Sequence, residues 1–198
     1  MTNNNIVKTG LFFGSFDPIH TGHLIIAQYF AEFSDLKEIW FVVSPQNPFK
    51  RNQKLLPDTQ RLELVELAIQ DNPVFSSCDI ELSLGTPSYT INTLRKLKEI
   101  HPRKTFVLIM GADNLKSLKQ WKASEEILRD YEIYVYPRPG TEPETLKQQS
   151  NIHVYKAPLL EISSSAIRNM IAGGHKPRYL LPEQVLKKIE TAGYYSGV

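Results

Sequence analysis

Strand-length apolar runs alternate with helix-period stretches along this chain, and that alternation limits its fold more than any other feature. Residues 8–13, 38–43, 105–110 and 131–136 are β-branched and aromatic runs, and 152–155 is a weaker fifth. Each run is continuously apolar rather than alternating, the pattern of a parallel sheet covered on both faces. Between them, residues 23–33, 59–69, 88–100 and 124–129 carry helical periodicity. In the second helix Leu62, Val65, Leu67 and Ile69 make a broad apolar face, and Asp58 is placed to cap it. Residues 79–84 read as an additional strand or an extended connection. Near the end, 163–172 and 182–192 read as two helices, stopped by Gly173-Gly174 and by Gly193. The pattern predicts an α/β fold: an open, doubly wound parallel sheet in a single domain over residues 1–198, with a helical C-terminal end. Substrates of such a sheet bind at the carboxyl ends of its strands.

Composition narrows the function classes. The chain has 198 residues, 41% of them hydrophobic, enough for one compact core and too many for a disordered segment. No apolar run approaches the roughly 20 residues that a membrane-spanning helix needs. Residues 1–8 are polar and Asn-rich, so no secretory leader is expected. A lone cysteine, Cys78, excludes an intrachain disulfide and a cysteine-built zinc site, and a reducing cytoplasm is the expected setting. The net charge of +2 is too small to make a nucleic-acid or membrane surface, so neither partner is expected. Anion binding must therefore come from local arrangement. Residues 137–150, rich in Pro, Glu and Gln, read as a long surface connection.

The segment Gly14-Ser15-Phe16-Asp17-Pro18-Ile19-His20-Thr21-Gly22-His23 joins the first strand to the first helix, where a doubly wound fold places its ligand. Gly14 lets backbone approach a ligand, and the amides of Ser15 and Phe16 are placed to face an anion. A helix starting at Thr21 or Gly22 offers N-terminal amides to a phosphate, and His20 and His23 project toward that end. Three roles are open to the histidine pair: phosphate contact, a structural bond to a backbone carbonyl, or a metal pair, the last without a clearly spaced third ligand. The glycines match neither a P-loop nor G-x-G-x-x-G. Near the other end, Ile162-Ser163-Ser164-Ser165-Ala166-Ile167-Arg168 opens a helix with hydroxyls, free amides and a cap, and Arg168 follows one turn on as a forked cation.

Taken together, the two boxes resemble those of the (T/H)-x-G-H nucleotidyltransferases, whose second box reads Ile-Ser-Ser-Thr-x-Ile-Arg; Ser165 stands in the Thr place. Thr86-Pro87-Ser88-Tyr89-Thr90-Ile91-Asn92-Thr93-Leu94 resembles the Pro-Ser-Tyr-Thr-x-x-Thr-Leu box of bacterial nicotinate-nucleotide adenylyltransferases. Gly111-Ala112-Asp113-Asn114 with Trp121 resembles their Gly-Ala-Asp…Trp segment.

The resemblance implies a Rossmann-like sheet and adenylyl transfer from ATP to nicotinate mononucleotide, giving deamido-NAD and pyrophosphate. It implies an ATP site of Gly14, Ser15, Phe16, His20, Gly22, His23, Gly111, Asp113, Ser164 and Arg168, with Asp113 by the ribose. Ser164 and Arg168 would hold the triphosphate from the side opposite His20 and His23. Ser15, Lys50, Thr90 and Trp121 would hold the pyridine nucleotide, and His20, His23, Lys50 and Arg168 would serve the chemistry. Mg²⁺ would arrive mainly on the ATP phosphates, without a dedicated protein site. There are departures: Phe49 stands where many members carry His, Lys122 where Tyr usually follows Trp, and Ser15 where Gly is frequent. Transfer to nicotinamide mononucleotide or phosphopantetheine, or silent nucleotide binding, are the competing readings, and a homo-oligomer is an open expectation.

Overall fold

In a computed structural model, residues 7–45, 55–141 and 150–197 are described. Six strands, β1 (Val7–Gly14), β2 (Glu38–Val43), β3 (Phe75–Cys78), β4 (Lys104–Gly111), β5 (Glu132–Tyr136) and β6 (Ile152–Val154), form one sheet in the order β3-β2-β1-β4-β5-β6. Every pairing is parallel. This is the doubly wound order, and the chain changes direction across the sheet between β1 and β4. The crevice at the carboxyl ends of those two strands, beyond Gly14 and Gly111, is where such a sheet receives ligands.

Two apolar layers sandwich the sheet. On one face α1 (Thr21–Phe33), α2 (Asp58–Ile69), α7 (Ser164–Ala172) and α8 (Glu183–Ala192) bury Ile26, Phe30, Leu64, Val65, Ile167, Val185 and Ile189 against Phe12 and Phe41. On the other, α4 (Thr90–Ile100), the short α5 (Ala112–Ser117) and α6 (Ser124–Asp130) bury Ile91, Leu94, Leu97, Leu115 and Ile127 against Leu11 and Leu108. Neighbouring residues of β1 thus serve opposite layers, which is why its run is apolar throughout rather than alternating.

Three local expectations are corrected. Residues 79–84 are not extended: Ile80–Ser83 forms a helical turn, α3, and the strand lies just before it at Phe75–Cys78. That strand pairs only with β2, at the sheet edge, and its Ser76 and Ser77 break the apolar run that marks the central strands. Asp58 does not cap α2. Pro57, at φ −48° and ψ 142°, holds the cap position, and its carbonyl accepts from Gln60 and Arg61 N–H. The inward face of α2 is Arg61, Leu64, Val65, Ala68 and Ile69, with Leu62 and Leu67 only half-buried at its margin. An arginine at the centre of that face is what the apolar count could not register. Cys78 is buried, and burial pushes its thiol up to about 11, leaving it protonated and unreactive.

Candidate active site

The loop after β1 is built from the inside. Gly14 has no room for a side chain, because an added Cβ would lie 2.8 Å from the Phe16 ring. Phe16 fills that space, held at φ 46° and packed edge-on against Phe12 and His23. The Phe16 ring thus fills the side of Gly14 where a Cβ would stand.

His20 is the cap residue of α1, and its backbone N–H donates to His23 Nδ1 at 3.2 Å. A nitrogen that accepts carries no proton, so the neutral His23 ring holds its proton on Nε2, free for a further partner. The two rings stack with centroids 3.7 Å apart. Gly22 makes this possible: a Cβ there would come within 3.0 Å of His20 Nδ1. Burial, with the Arg138 charge adding to it, lowers His20 to about 4. Burial, then His20 and Arg138, takes His23 well below the usual histidine range. Both rings are neutral at pH 7 and present N–H donors in a nearly dry setting, where a donor to a phosphate oxygen is worth most.

The second box closes directly on the first. Ser163 caps α7, its Oγ accepting from Ala166 N–H at 3.2 Å. Ser164 Oγ donates to the carbonyl of Pro18 at 2.9 Å. Arg168 donates to the carbonyl of Asp17 at 2.7 Å and to Ser165 Oγ at 3.3 Å. Two segments separated by about 140 residues are thus bonded to each other at the carboxyl end of β1. At the end of β4, Gly111 gives way to Asp113 and Arg138: an added Cβ would lie 2.3 Å from Asp113 Oδ1 and 3.0 Å from Arg138 Cγ. Arg138 Nε sits 3.7 Å from Asp113 Oδ1. A small niche between β1 and β5 is lined by Phe12, Tyr136, His20, His23, Gly22 and Arg138.

The cytidylyltransferase-like family matches residues 11–170, a span holding both boxes and both strand ends. A probable nicotinate-nucleotide adenylyltransferase of Cytophaga hutchinsonii is 50% identical over 191 residues, covering 96% of this chain and all of that protein. One from Bacteroides fragilis is 48% identical, covering 92% of this chain and 90% of its own length. The chain belongs to the nicotinate-nucleotide adenylyltransferase family. The fold agrees. A Plasmodium falciparum nicotinic acid mononucleotide adenylyltransferase, solved with APC and with NaAD, superposes at a TM-score of 0.79 with 20% identity, over 96% of this chain and 97% of that one.

Two of the segments expected near the pyridine, 89–90 and 121–122, lie on the same side of the sheet. Tyr89 and Trp121 both pack on the core layer under α4, and Lys122 Nζ lies 4.5 Å above the Tyr89 ring. Thr90 opens α4 beside them, half-buried. Lys50 and the Phe49 departure lie outside the described residues.

Three residues that position the site escaped the sequence reading. Arg61, fully buried on α2, donates to the carbonyls of Leu56 (3.1 Å), Ser44 (2.8 Å), Pro45 (2.9 Å) and Ser15, and pairs with Asp58. Asp17 is buried, and its Oδ1 accepts from Leu56 N–H at 3.2 Å and from the Tyr195 hydroxyl at 2.7 Å. Arg138 is the third. For Arg61, a charge on an otherwise apolar helix face was the available signal. Nothing local marks Tyr195, whose partner is 178 residues away.

Proposed function

We propose that this chain transfers the adenylyl group of ATP to nicotinate mononucleotide, releasing pyrophosphate and forming deamido-NAD. The observation that carries this reading is the bonding of Ser164 and Arg168 to Pro18 and Asp17. It brings a helix N-terminus, two neutral histidines and a guanidinium to one crevice at the β1 and β4 ends. Full-length relatives named for this activity support it.

The chemistry asks little beyond placement. The acceptor's 5′-phosphate is already anionic near pH 7, its second pKa being about 6, so no general base is needed. One of its oxygens attacks the α-phosphorus in line, an O–P bond forms, and the α–β bridging bond breaks with its electron pair leaving on pyrophosphate. His20 and His23 donate to the oxygens where charge grows. Arg168 spends donors on Asp17 and Ser165 and has others to turn to phosphate. Lys50 adds a cation. The backbone of Ser15, Gly22 and Gly111 bounds the crevice, Ser164 and the start of α7 hold phosphate, Asp113 takes the ribose hydroxyls, and Thr90 and Trp121 hold the pyridine. Mg²⁺, the divalent ion expected for this chemistry, would arrive on the triphosphate and neutralise phosphate charge there. The whole chain acts as one nucleotidyltransferase domain, in the cytoplasm. Among the described residues no helix is long and apolar enough to cross a membrane.

Radiolabel placement tests the reaction type. ATP labelled at the α-phosphate is expected to pass its label to a dinucleotide, and ATP labelled at the γ-phosphate to pass it to pyrophosphate. Release of the α label as free AMP, with no dinucleotide, would show a hydrolase instead.

A further inference from the structure

Arg138 stands at the end of β5 in a turn that leaves its backbone little freedom. Thr141 N–H donates to the Arg138 carbonyl at 3.1 Å, closing the four-residue turn Arg138-Pro139-Gly140-Thr141. Pro139 pre-sets the second position, and Gly140, at φ +71°, takes the left-handed third position that suits a residue without Cβ. Thr141 Oγ1 bonds both the N–H and the carbonyl of Arg138, at 3.2 and 2.6 Å. The side chain runs back along the crevice, filling the space that Gly111 leaves, with its guanidinium 5.3 Å from the centre of the Tyr136 ring.

Among the described residues the buried Nε finds no hydrogen-bond partner, and Asp113 Oδ1, 3.7 Å away, forms a loose ion pair beyond hydrogen-bond reach. Arg61 shows what a purely structural arginine looks like in this same molecule: five hydrogen bonds, four of them to backbone carbonyls. A guanidinium with an idle buried donor, set in a shaped cradle beside two neutral N–H donors, fits a polyanion rather than a packing role.

We propose that Arg138 is a further substrate-binding residue, its guanidinium taking phosphate oxygens of ATP on the β5 side of the crevice. His20 and His23 approach from α1, and Arg168 from α7. The proposal rests on the ATP reading above and adds to α1 and α7 a third element, the turn after β5, that grips the triphosphate. The planar fork matters, because two donors can meet two oxygens of one phosphate.

The test compares Arg138→Gln and Arg138→Lys with the parent protein. ATP binding is read by calorimetry without acceptor, steady-state kinetics are run with each substrate varied, and inorganic tripolyphosphate and adenosine serve as separate competitors. Arg138→Gln is expected to weaken ATP binding and raise the KM for ATP by about ten- to a hundredfold. It should weaken tripolyphosphate inhibition alike and leave adenosine inhibition and the KM for nicotinate mononucleotide within about twofold of the parent. Arg138→Lys should recover part of the loss. Unchanged ATP and tripolyphosphate binding in the Gln variant would overturn the proposal, as would a loss confined to adenosine. If Arg138→Gln fails to fold, the Lys variant carries the same comparison. Because calorimetry needs no turnover, failure of the parent to use nicotinate mononucleotide would sink the acceptor assignment without deciding this one.

Discussion

His23 illustrates how much a single side chain can say once its hydrogen bond is known. Its Nδ1 accepts from its own helix cap, which fixes the proton on Nε2 and makes the ring a donor at neutral pH. Replacing His23 by Ala should lower kcat by about two orders of magnitude or more with the fold intact by circular dichroism; near-normal turnover would remove it from the mechanism. His20 makes a prediction about acid. Its native pKa is held near 4 by burial first and Arg138 second, against 6.5 when unfolded. A depressed histidine contributes stability above the unfolded pKa and loses it as pH falls, so the protein should weaken between about pH 6.5 and 4. His20→Asn removes this proton uptake, and urea unfolding across that window should show a flatter pH dependence for the variant. At this scale the boxes picked out both histidines, Ser164 and Arg168, residues that the fold brings to one place. Arg138 could not be picked out this way, because its significance is an unmet hydrogen bond, and only packing reveals that a donor has no partner.

The central strands and the first and last helices could be read because their apolar runs and their caps are local. The edge strand β3 and the turn α3 could not, since Phe75-Ser76-Ser77-Cys78 has one neighbour strand and no continuous apolar signal. Helix α2 is the instructive case. It lays Arg61 on the core-facing side, and that residue gathers the loops after β1 and β2 by their carbonyls. Arg61→Ala would strand several buried acceptors at once. We expect a loss of roughly 3–5 kcal/mol in denaturant unfolding, with Arg61→Lys recovering little because an ammonium cannot span carbonyls in a planar fork. A variant as stable as the parent would show that water replaces the guanidinium.

Across the whole molecule the site is assembled from both ends of the chain. The parallel order and its switch point followed from strand–helix alternation, and they place the crevice. The closure did not follow from it. Tyr195 reaches back 178 residues to bond buried Asp17, in the same loop that carries His20. Tyr195→Phe should therefore cost about 1–2 kcal/mol of stability and also lower kcat/KM for ATP, because the loop that carries the proposed phosphate donors loses its brace. A stability loss with kinetics untouched would make the contact architectural only. What all of this serves is transfer to one acceptor, and pyrophosphate release tests that most directly. With ATP and Mg²⁺, and with nicotinate mononucleotide, nicotinamide mononucleotide and phosphopantetheine offered in parallel, the first should be used with the highest kcat/KM. Preference for either of the others, or no release with any of the three, would contradict it.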